Sequence, residues 1–319
     1  MLNRRFLRIK VMQILYSFFQ HEKADISFFE KELFTSLDKV YSLYIYILTL
    51  FTDIHHTAHL VIDENKNKHL PNAEDLDPNL KFLNNSLLVA LSESNVLKKE
   101  IARQKISWQN DYHVVRKLYT DLRQTDLYKE YMMSSEKSDK EDKELLINLI
   151  VDFLSEHELL IHLFEEKNIH WADDNFVAFN SVIRTFENFD ASASAGLSTS
   201  FKLFPLLKDA DDDKKFMSEL FQKTIQYNKH YEDLIQEHTK NWELDRIASM
   251  DMLLMKMAIA EILHLPNVPV KVSLNEYIDI SKEYSTPNSK TFVNGVLDKI
   301  IAQLKNSGEI QKAGRGLKE

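Results

Sequence analysis

The sequence predicts an all-α protein, and three observations lead to that prediction. Only five glycines occur among 319 residues, and three of them lie in the last dozen, whereas hairpins and phosphate-binding loops require glycine. The six prolines lie in polar stretches that are typical of connections. Apart from the short NVPVKV passage at 267–272, no segment combines β-branched alternation with the turn residues of a hairpin.

The first helix is predicted over residues 4–20, where apolar side chains recur at helical spacing without a breaker. These side chains are Leu7, Val11, Ile14, Leu15 and Phe18. A second helix is predicted over about 27–61, because its apolar residues are too dense for an exposed face, and it ends in a polar stretch with two prolines. Towards the C-terminus, Ser273 and Glu276 have the spacing of a capping box, which predicts that a helix begins at Ser273.

All three tryptophans are followed three residues later by aspartate, a pattern that indicates an internal repeat. The pairs are Trp108 with Asp111, Trp171 with Asp174, and Trp242 with Asp245, at spacings of 63 and 71 residues. Each pair lies between two amphipathic segments, so we expect a repeated unit of helix, short connection and helix. The aspartate is expected to cap the second helix of each unit. Coincidence among helices of similar composition is the alternative.

The composition argues against several classes of function. There is no cysteine, which removes disulfides and thiolate chemistry, and no GxSxG, Walker or Rossmann glycine motif occurs. We therefore predict no catalytic residue, no cofactor and no enzyme activity. His55, His56 and His59 follow Asp53 on one predicted helix, but no HExxH glutamate accompanies them, so a helix surface is favoured over a metal site.

Charge and hydropathy indicate the compartment and limit the partners. The formal net charge of −9 argues against extensive nucleic-acid binding, so any such contact requires a local basic patch. The longest apolar run, from Val40 to Phe51, is shorter than the ~20 residues that a bilayer requires, and the N-terminus continues as an amphipathic pattern rather than as a signal peptide. We expect a cytoplasmic protein.

From Trp242 onward the chain resembles the C-terminal half of the NusB transcription antitermination family. The resemblance rests on LLMKMAIAEIL at 253–263, NVPVKVSLNE at 267–276 and SKTFVNGVLDKI at 289–300. In addition, RRFLRIKVMQILYS at 4–17 is similar to the first helix of the family. The match covers about residues 1–20 and 202–304, and it implies an all-α, NusB-like helical bundle.

Residues 21–200 have no counterpart in the compact members of the family, which predicts inserted helical units. The expected division is the first helix of the NusB-like domain at 1–20, the inserted helical region at 21–200 and the rest of the NusB-like domain at 201–305. A disordered tail is expected at 306–319, where no apolar periodicity occurs. Within the insertion, the small and polar ASASAGLSTS at 191–200 is predicted to be a linker.

The arginines of the first helix are candidate RNA-binding residues. Arg4, Arg5 and Arg8 lie within one arc of the helix, and no acidic residue precedes Glu22. Guanidinium groups clamp phosphates and stack on exposed bases, although a solvated helix end would have the same sequence. The resemblance implies that these arginines help to bind boxA RNA, with Phe6 in place of one arginine of the family.

The resemblance implies two further groups of site residues. A second RNA-facing patch is implied at Ser289, Lys290 and Phe292, with Phe292 as an ordinary core residue being the alternative. A surface for the ribosomal-protein partner, NusE, is implied at Tyr16, Asp251 and Lys256.

The function that the resemblance implies is that of an RNA-binding adaptor in transcription antitermination. Such a protein binds boxA-like single-stranded RNA with a NusE-type small-subunit ribosomal protein, in an RNA polymerase antitermination complex, chiefly on rRNA transcripts. Two alternatives stay open: a scaffold for ribosome assembly or protein interaction, and a non-catalytic, regulatory relative of NusB-domain rRNA methyltransferases. Those enzymes need a catalytic cysteine and a cofactor-binding α/β domain, and we find neither in this sequence.

Overall fold

The computed structural model describes residues 2–189, 201–239 and 247–317, and within these ranges the chain forms helices, turns and connections but no strand. The predicted all-α fold is therefore confirmed. The NVPVKV passage contains a short connection and then the start of a helix at Val270. The third tryptophan–aspartate pair and the predicted linker at 191–200 lie outside the described residues.

The described ranges contain fifteen α-helices. The first ten are α1 (Arg4–Gln20), α2 (Ile26–Lys66), α3 (Ala73–Leu76), α4 (Ser86–Glu93), α5 (Asn95–Gln104), α6 (Tyr112–Leu122), α7 (Asp126–Met133), α8 (Asp139–Leu149), α9 (Glu158–Lys167) and α10 (Asn175–Glu187). The other five are α11 (Ala210–Gln226), α12 (Asn228–His238), α13 (Ser249–His264), α14 (Val270–Tyr284) and α15 (Ser289–Asn306).

The chain divides into two compact units. The central unit comprises Asp38–Leu206, and the terminal unit comprises Leu2–Leu37 together with Leu207–Glu319. The insertion was expected at 21–200, so the central unit begins and ends later in the chain than that expected insertion. Helix α2 begins within the residues of the terminal unit and continues through those of the central unit.

In the terminal unit, α13 forms the core. It packs against α1, α11, α12, α14 and α15, and it is buried almost all round, which explains why its sequence is apolar without a polar face. The predicted helix start at Ser273 is wrong. Helix α14 begins at Val270, with Pro269 as its N-cap residue in an extended conformation, and Ser273 lies buried inside the helix.

In the central unit, the middle of α2 forms the core with α4 to α10. This helix is long and apolar enough to cross a membrane by length and composition, contrary to the expectation from residues 40–51, but 61% of the relevant stretch is buried inside the structure. A core helix of a globular unit has the same composition as a membrane span, so the burial accounts for the apolar sequence.

Two corners of the central unit are built around Trp108 and Trp171. Each tryptophan lies in a short turn between two helices and is buried. Their indole N–H groups donate to carbonyls of the same helix, α2: Trp108 to Tyr46 at 3.1 Å and Trp171 to Lys39 at 2.9 Å. The Tyr46 ring contacts both indoles, with centroid distances of 4.1 and 5.4 Å.

Asp111 and Asp174, which follow the two described tryptophans, do not cap the next helix through their side chains, contrary to the expectation. Asp111 directly precedes α6, but its carboxylate accepts from the Tyr46 hydroxyl at 3.1 Å and lies 2.6 Å from the Lys167 ammonium. The first tryptophan corner is therefore bonded to α2 at Tyr46 and to α9 at Lys167.

The C-terminal segment lies over the end of α13. The Ala313 N–H donates to the Pro266 carbonyl at 3.0 Å, and Lys312 donates to the Leu265 carbonyl at 3.1 Å. Gly316 is buried so close to Pro266 that a Cβ atom would lie 1.9 Å from its carbonyl oxygen. Partial burial lowers the pKa of Lys312 to about 8. This ordered packing extends to Leu317 and differs from the expected disordered tail.

Candidate RNA and partner interface

Arg8 is the centre of a buried polar network. Its side chain is 2% exposed, and its Nε and Nη2 donate to the two carboxylate oxygens of Glu261 at 2.8 and 2.7 Å. Glu261 also accepts from the hydroxyls of Ser273 (2.7 Å) and Tyr277 (3.1 Å). Burial alone would lower the pKa of Arg8, but the Glu261 carboxylate raises it, so the guanidinium keeps its charge. This position differs from the predicted RNA contact, because almost none of the side chain reaches solvent.

Arg4 and Arg5 are each about a third exposed, and both form ion pairs. Arg4 lies 2.5 Å from Asp212, at the start of α11. Arg5 donates to Glu276 at 2.9 Å and to Asp279 at 2.8 Å, both on α14, and the hydrogen bond with Glu276 raises the pKa of Arg5. The positive charge that the sequence concentrates at this helix end is therefore largely compensated by carboxylates.

The three predicted residues at the start of α15 have three different environments. Ser289 is buried, and its hydroxyl donates to Asp251 Oδ2 at 2.8 Å. Lys290 is exposed and forms no ion pair with any other described residue. Phe292 is half-buried. A ligand at this helix end would therefore meet Lys290 and part of the Phe292 ring, but not the Ser289 hydroxyl.

The three residues of the implied partner surface also differ in exposure. Tyr16 is exposed on α1. Lys256 is mostly buried, donates to Glu232 at 3.0 Å and lies 5.8 Å from the centre of the Phe19 ring. Asp251 is buried. Because Phe19 is exposed and lies one helical turn after Tyr16, these two rings share a face of α1, with the Lys256 ammonium near Phe19.

The histidines of α2 do not form a metal centre with other residues that the structure describes. His56 and His59 are exposed, whereas His55 is buried, so the expectation of a helix surface is wrong for His55. Its ring nitrogens lie 3.1 Å from the Ser92 hydroxyl and 2.9 Å from the Leu83 carbonyl, and burial lowers the pKa of His55.

Sequence reasoning missed the acidic partners of α1 and the exposed ring of Phe19. One signal pointed to Glu261: an acidic residue in a helix that is apolar almost all round must be buried, and a buried carboxylate needs a cation or several donors. The partners of Arg4 and Arg5 give no comparable signal, since acids at a surface are ordinary. Phe19 was indistinguishable from the core residues beside it.

The fold and these contacts define the class of protein: an all-helical bundle, enlarged by a central helical unit. The NusB family model matches residues 189–302. Similar proteins, each called Transcription antitermination protein NusB, come from Salinibacter ruber (41% identity over 131 residues, 41% of this chain and 81% of that protein) and Chloroherpeton thalassium (46% over 104 residues, 33% and 49%). A third comes from Desulfatibacillum aliphaticivorans (38% over 109 residues, 34% and 74%). The chain therefore belongs to the NusB family. Most of the central unit lies outside the residues that the family model matches.

Proposed function

We propose that this protein is an RNA-binding adaptor in transcription antitermination. It binds boxA-like single-stranded RNA together with a NusE-type small-subunit ribosomal protein, chiefly during rRNA transcription. It acts in the cytoplasm as a non-catalytic component of an RNA polymerase antitermination complex. The observation that carries the proposal is membership of the NusB family, in which the similar proteins are named for transcription antitermination.

The RNA surface in this proposal is centred on Lys290. An exposed ammonium group without a carboxylate partner among the described residues is available to a phosphate at no cost in broken ion pairs. Phe292, two residues further along α15, is half-buried and offers part of a ring on which an unpaired base stacks. Arg4 and Arg5 extend this surface only after they leave their carboxylate partners, so each contributes less than Lys290. Arg8 has a structural role, because it supports the bundle through Glu261.

The partner surface in this proposal consists of Tyr16 and Phe19 on α1, with Lys256 near the Phe19 ring. Aromatic side chains are the usual energetic centres of protein interfaces. Asp251 acts indirectly, since it holds the start of α15 through Ser289.

The test measures binding of a fluorescent boxA RNA by anisotropy at several salt concentrations, with and without NusE. Each phosphate contact on single-stranded RNA contributes about −0.7 to the slope of log affinity against log salt. Lys290→Ala should therefore flatten the slope by about 0.7, whereas Arg4→Ala with Arg5→Ala should flatten it by less than about 1.4. Lys299→Ala, on the same helix and also exposed, is the matched control and should leave the slope unchanged.

A second arm of the experiment separates the partner from the RNA. Tyr16→Ala should weaken NusE binding by roughly 10-fold or more and leave binding of RNA alone unchanged. The proposed function is wrong if the wild-type protein binds boxA RNA no more tightly than a scrambled RNA, both alone and with NusE.

A further inference from the structure

The net charge of the chain resides in its central unit. Residues 38–206 contain 18 lysines and arginines against 27 aspartates and glutamates, a net charge of −9, and the rest of the chain contains 22 of each. Four of these nine net negative charges lie in what we call the α9–α10 corner, residues 158–176. That segment contains five carboxylates against one cation, Lys167, and the ammonium of Lys167 lies 2.6 Å from the Asp111 carboxylate.

Two large apolar side chains project from the same corner into solvent. Ile169 is 86% exposed and Phe176 is 73% exposed. They lie within one run of consecutive turns, in which Trp171 N donates to Asn168 O at 2.8 Å and Ala178 N to Asp174 O at 2.9 Å. The buried Trp171 indole fixes this run to α2, so both side chains are presented from a supported backbone rather than from a free loop.

The corner around Trp108 shows that the fold does not require this surface. At the spacing of 63 residues that separates the two tryptophans, Ile169 corresponds to Ile106 and Phe176 corresponds to His113. Ile106 is half-buried, and His113 is polar. The segment 95–113 contains four cations against two carboxylates. The same scaffold is therefore built with the opposite charge and without exposed apolar side chains at the two positions equivalent to Ile169 and Phe176.

Two of the acidic residues lie at a helix end where negative charge is unfavourable. Glu165 and Glu166 lie in the last turn of α9, where the helix dipole disfavours carboxylates and favours cations. Helix stability does not account for them. Exposed aromatic and aliphatic side chains in a segment rich in carboxylates match a protein surface of opposite charge with an apolar anchor.

We propose that the α9–α10 corner is a docking surface for a basic protein segment, one that presents lysine or arginine side chains around an apolar anchor. The anchor packs on Ile169 and Phe176, and its cations face Glu158, Glu165 and Glu166. The negative charge of the corner disfavours nucleic acid as the occupant. This interaction is independent of the proposed RNA surface, which lies on residues of the terminal unit.

The test uses the full chain and a labelled 14-residue helical peptide with leucines at i, i+3, i+4 and i+7 and arginines elsewhere. A sister peptide has serine at every leucine position. We expect the leucine peptide to bind at least about 10-fold more tightly than the serine peptide, because the anchor supplies the affinity. Hydrogen exchange should slow in residues 158–180 when the peptide is bound.

One double variant removes the exposed apolar side chains of the surface, and another reverses the charge of two of its carboxylates. Ile169→Ser with Phe176→Ser, and Glu165→Lys with Glu166→Lys, should each weaken binding by about 10-fold or more. The matched controls are Val96→Ser, at another exposed apolar residue, and Glu93→Lys with Glu130→Lys, at exposed acids elsewhere in the central unit. Both should change affinity by less than about 2-fold, and circular dichroism should show the same helicity in all variants.

Several results would overturn the proposal. They are no binding of the leucine peptide at millimolar concentration, equal binding of the serine peptide, equal losses in the control variants, or displacement of the peptide by single-stranded RNA. Self-association of the protein that the Ile169 and Phe176 substitutions abolish would instead assign the surface to a second copy of the chain.

Discussion

The three arginines at the start of α1 look alike in the sequence and occupy three different environments. Arg8 is buried against Glu261, Arg5 bridges two carboxylates of α14, and Arg4 pairs with α11. The sequence predicted a basic helix end because no acid lies near these arginines along the chain. Their partners come from more than 200 residues away, and no local pattern specifies which surface acids a folded chain will bring to them.

The first prediction concerns the contribution of the Arg8 side chain to stability. Arg8→Ala should lower the free energy of unfolding by about 3–5 kcal/mol, because it leaves the Glu261 carboxylate buried without its cation. Urea denaturation followed by circular dichroism measures the loss. Arg4→Ala is the control and should cost less than about 1 kcal/mol, since its ion pair is partly exposed. Equal losses in the two variants would show that the buried network contributes no more than a surface pair.

At the scale of the helices, apolar periodicity predicted the bounds of α1 correctly, whereas the capping signals predicted the wrong roles for the capping side chains. Helix α1 runs over Arg4–Gln20 as predicted, because its apolar spacing has no breaker on either side. By contrast, Ser273 and Asp111 have the residue types and spacing of caps, yet their side chains bond to Glu261 and to Tyr46. A polar side chain near a helix start has several possible partners, and tertiary contacts decide among them.

The tryptophan corners give the second prediction. Trp108→Phe should lower the free energy of unfolding by about 2 kcal/mol, from the lost indole hydrogen bond and the cavity that remains. Trp171→Phe should cost less, because Trp171 is less deeply buried and lies farther from the Tyr46 ring. Urea denaturation of the two variants compares them directly. A larger loss for Trp171 would mean that contact with Tyr46 does not determine the stability of these corners.

For the whole molecule, the principal finding is that one compact unit is assembled from the two ends of the chain. The resemblance at 1–20 and 202–304 predicted an insertion between them, and the structure divides the chain at residues 38 and 206. The later boundary coincides with a change in composition. The earlier one lies inside α2, where the helical periodicity is continuous, so no sequence signal marks it.

This division predicts how α2 responds when only the terminal unit is destabilised. In native-state hydrogen exchange, Arg8→Ala should reduce the protection of residues 26–37 together with that of α11 to α15. Residues 43–62 of the same helix should keep their protection, because this stretch contributes to the core of the central unit. A uniform loss along the whole of α2 would show that the helix opens as one cooperative element and would contradict the division.

The position of α1 also has a consequence for biosynthesis. The end of α1 and the beginning of α11 are separated by 189 residues, which a ribosome adds in on the order of 10–40 s. During that time α1 has none of its partners in α11, α13 and α14, whereas residues 38–206 emerge as one contiguous stretch with a core of their own. The central unit can therefore mature first, while the bundle that defines the family must wait for the last third of the nascent chain.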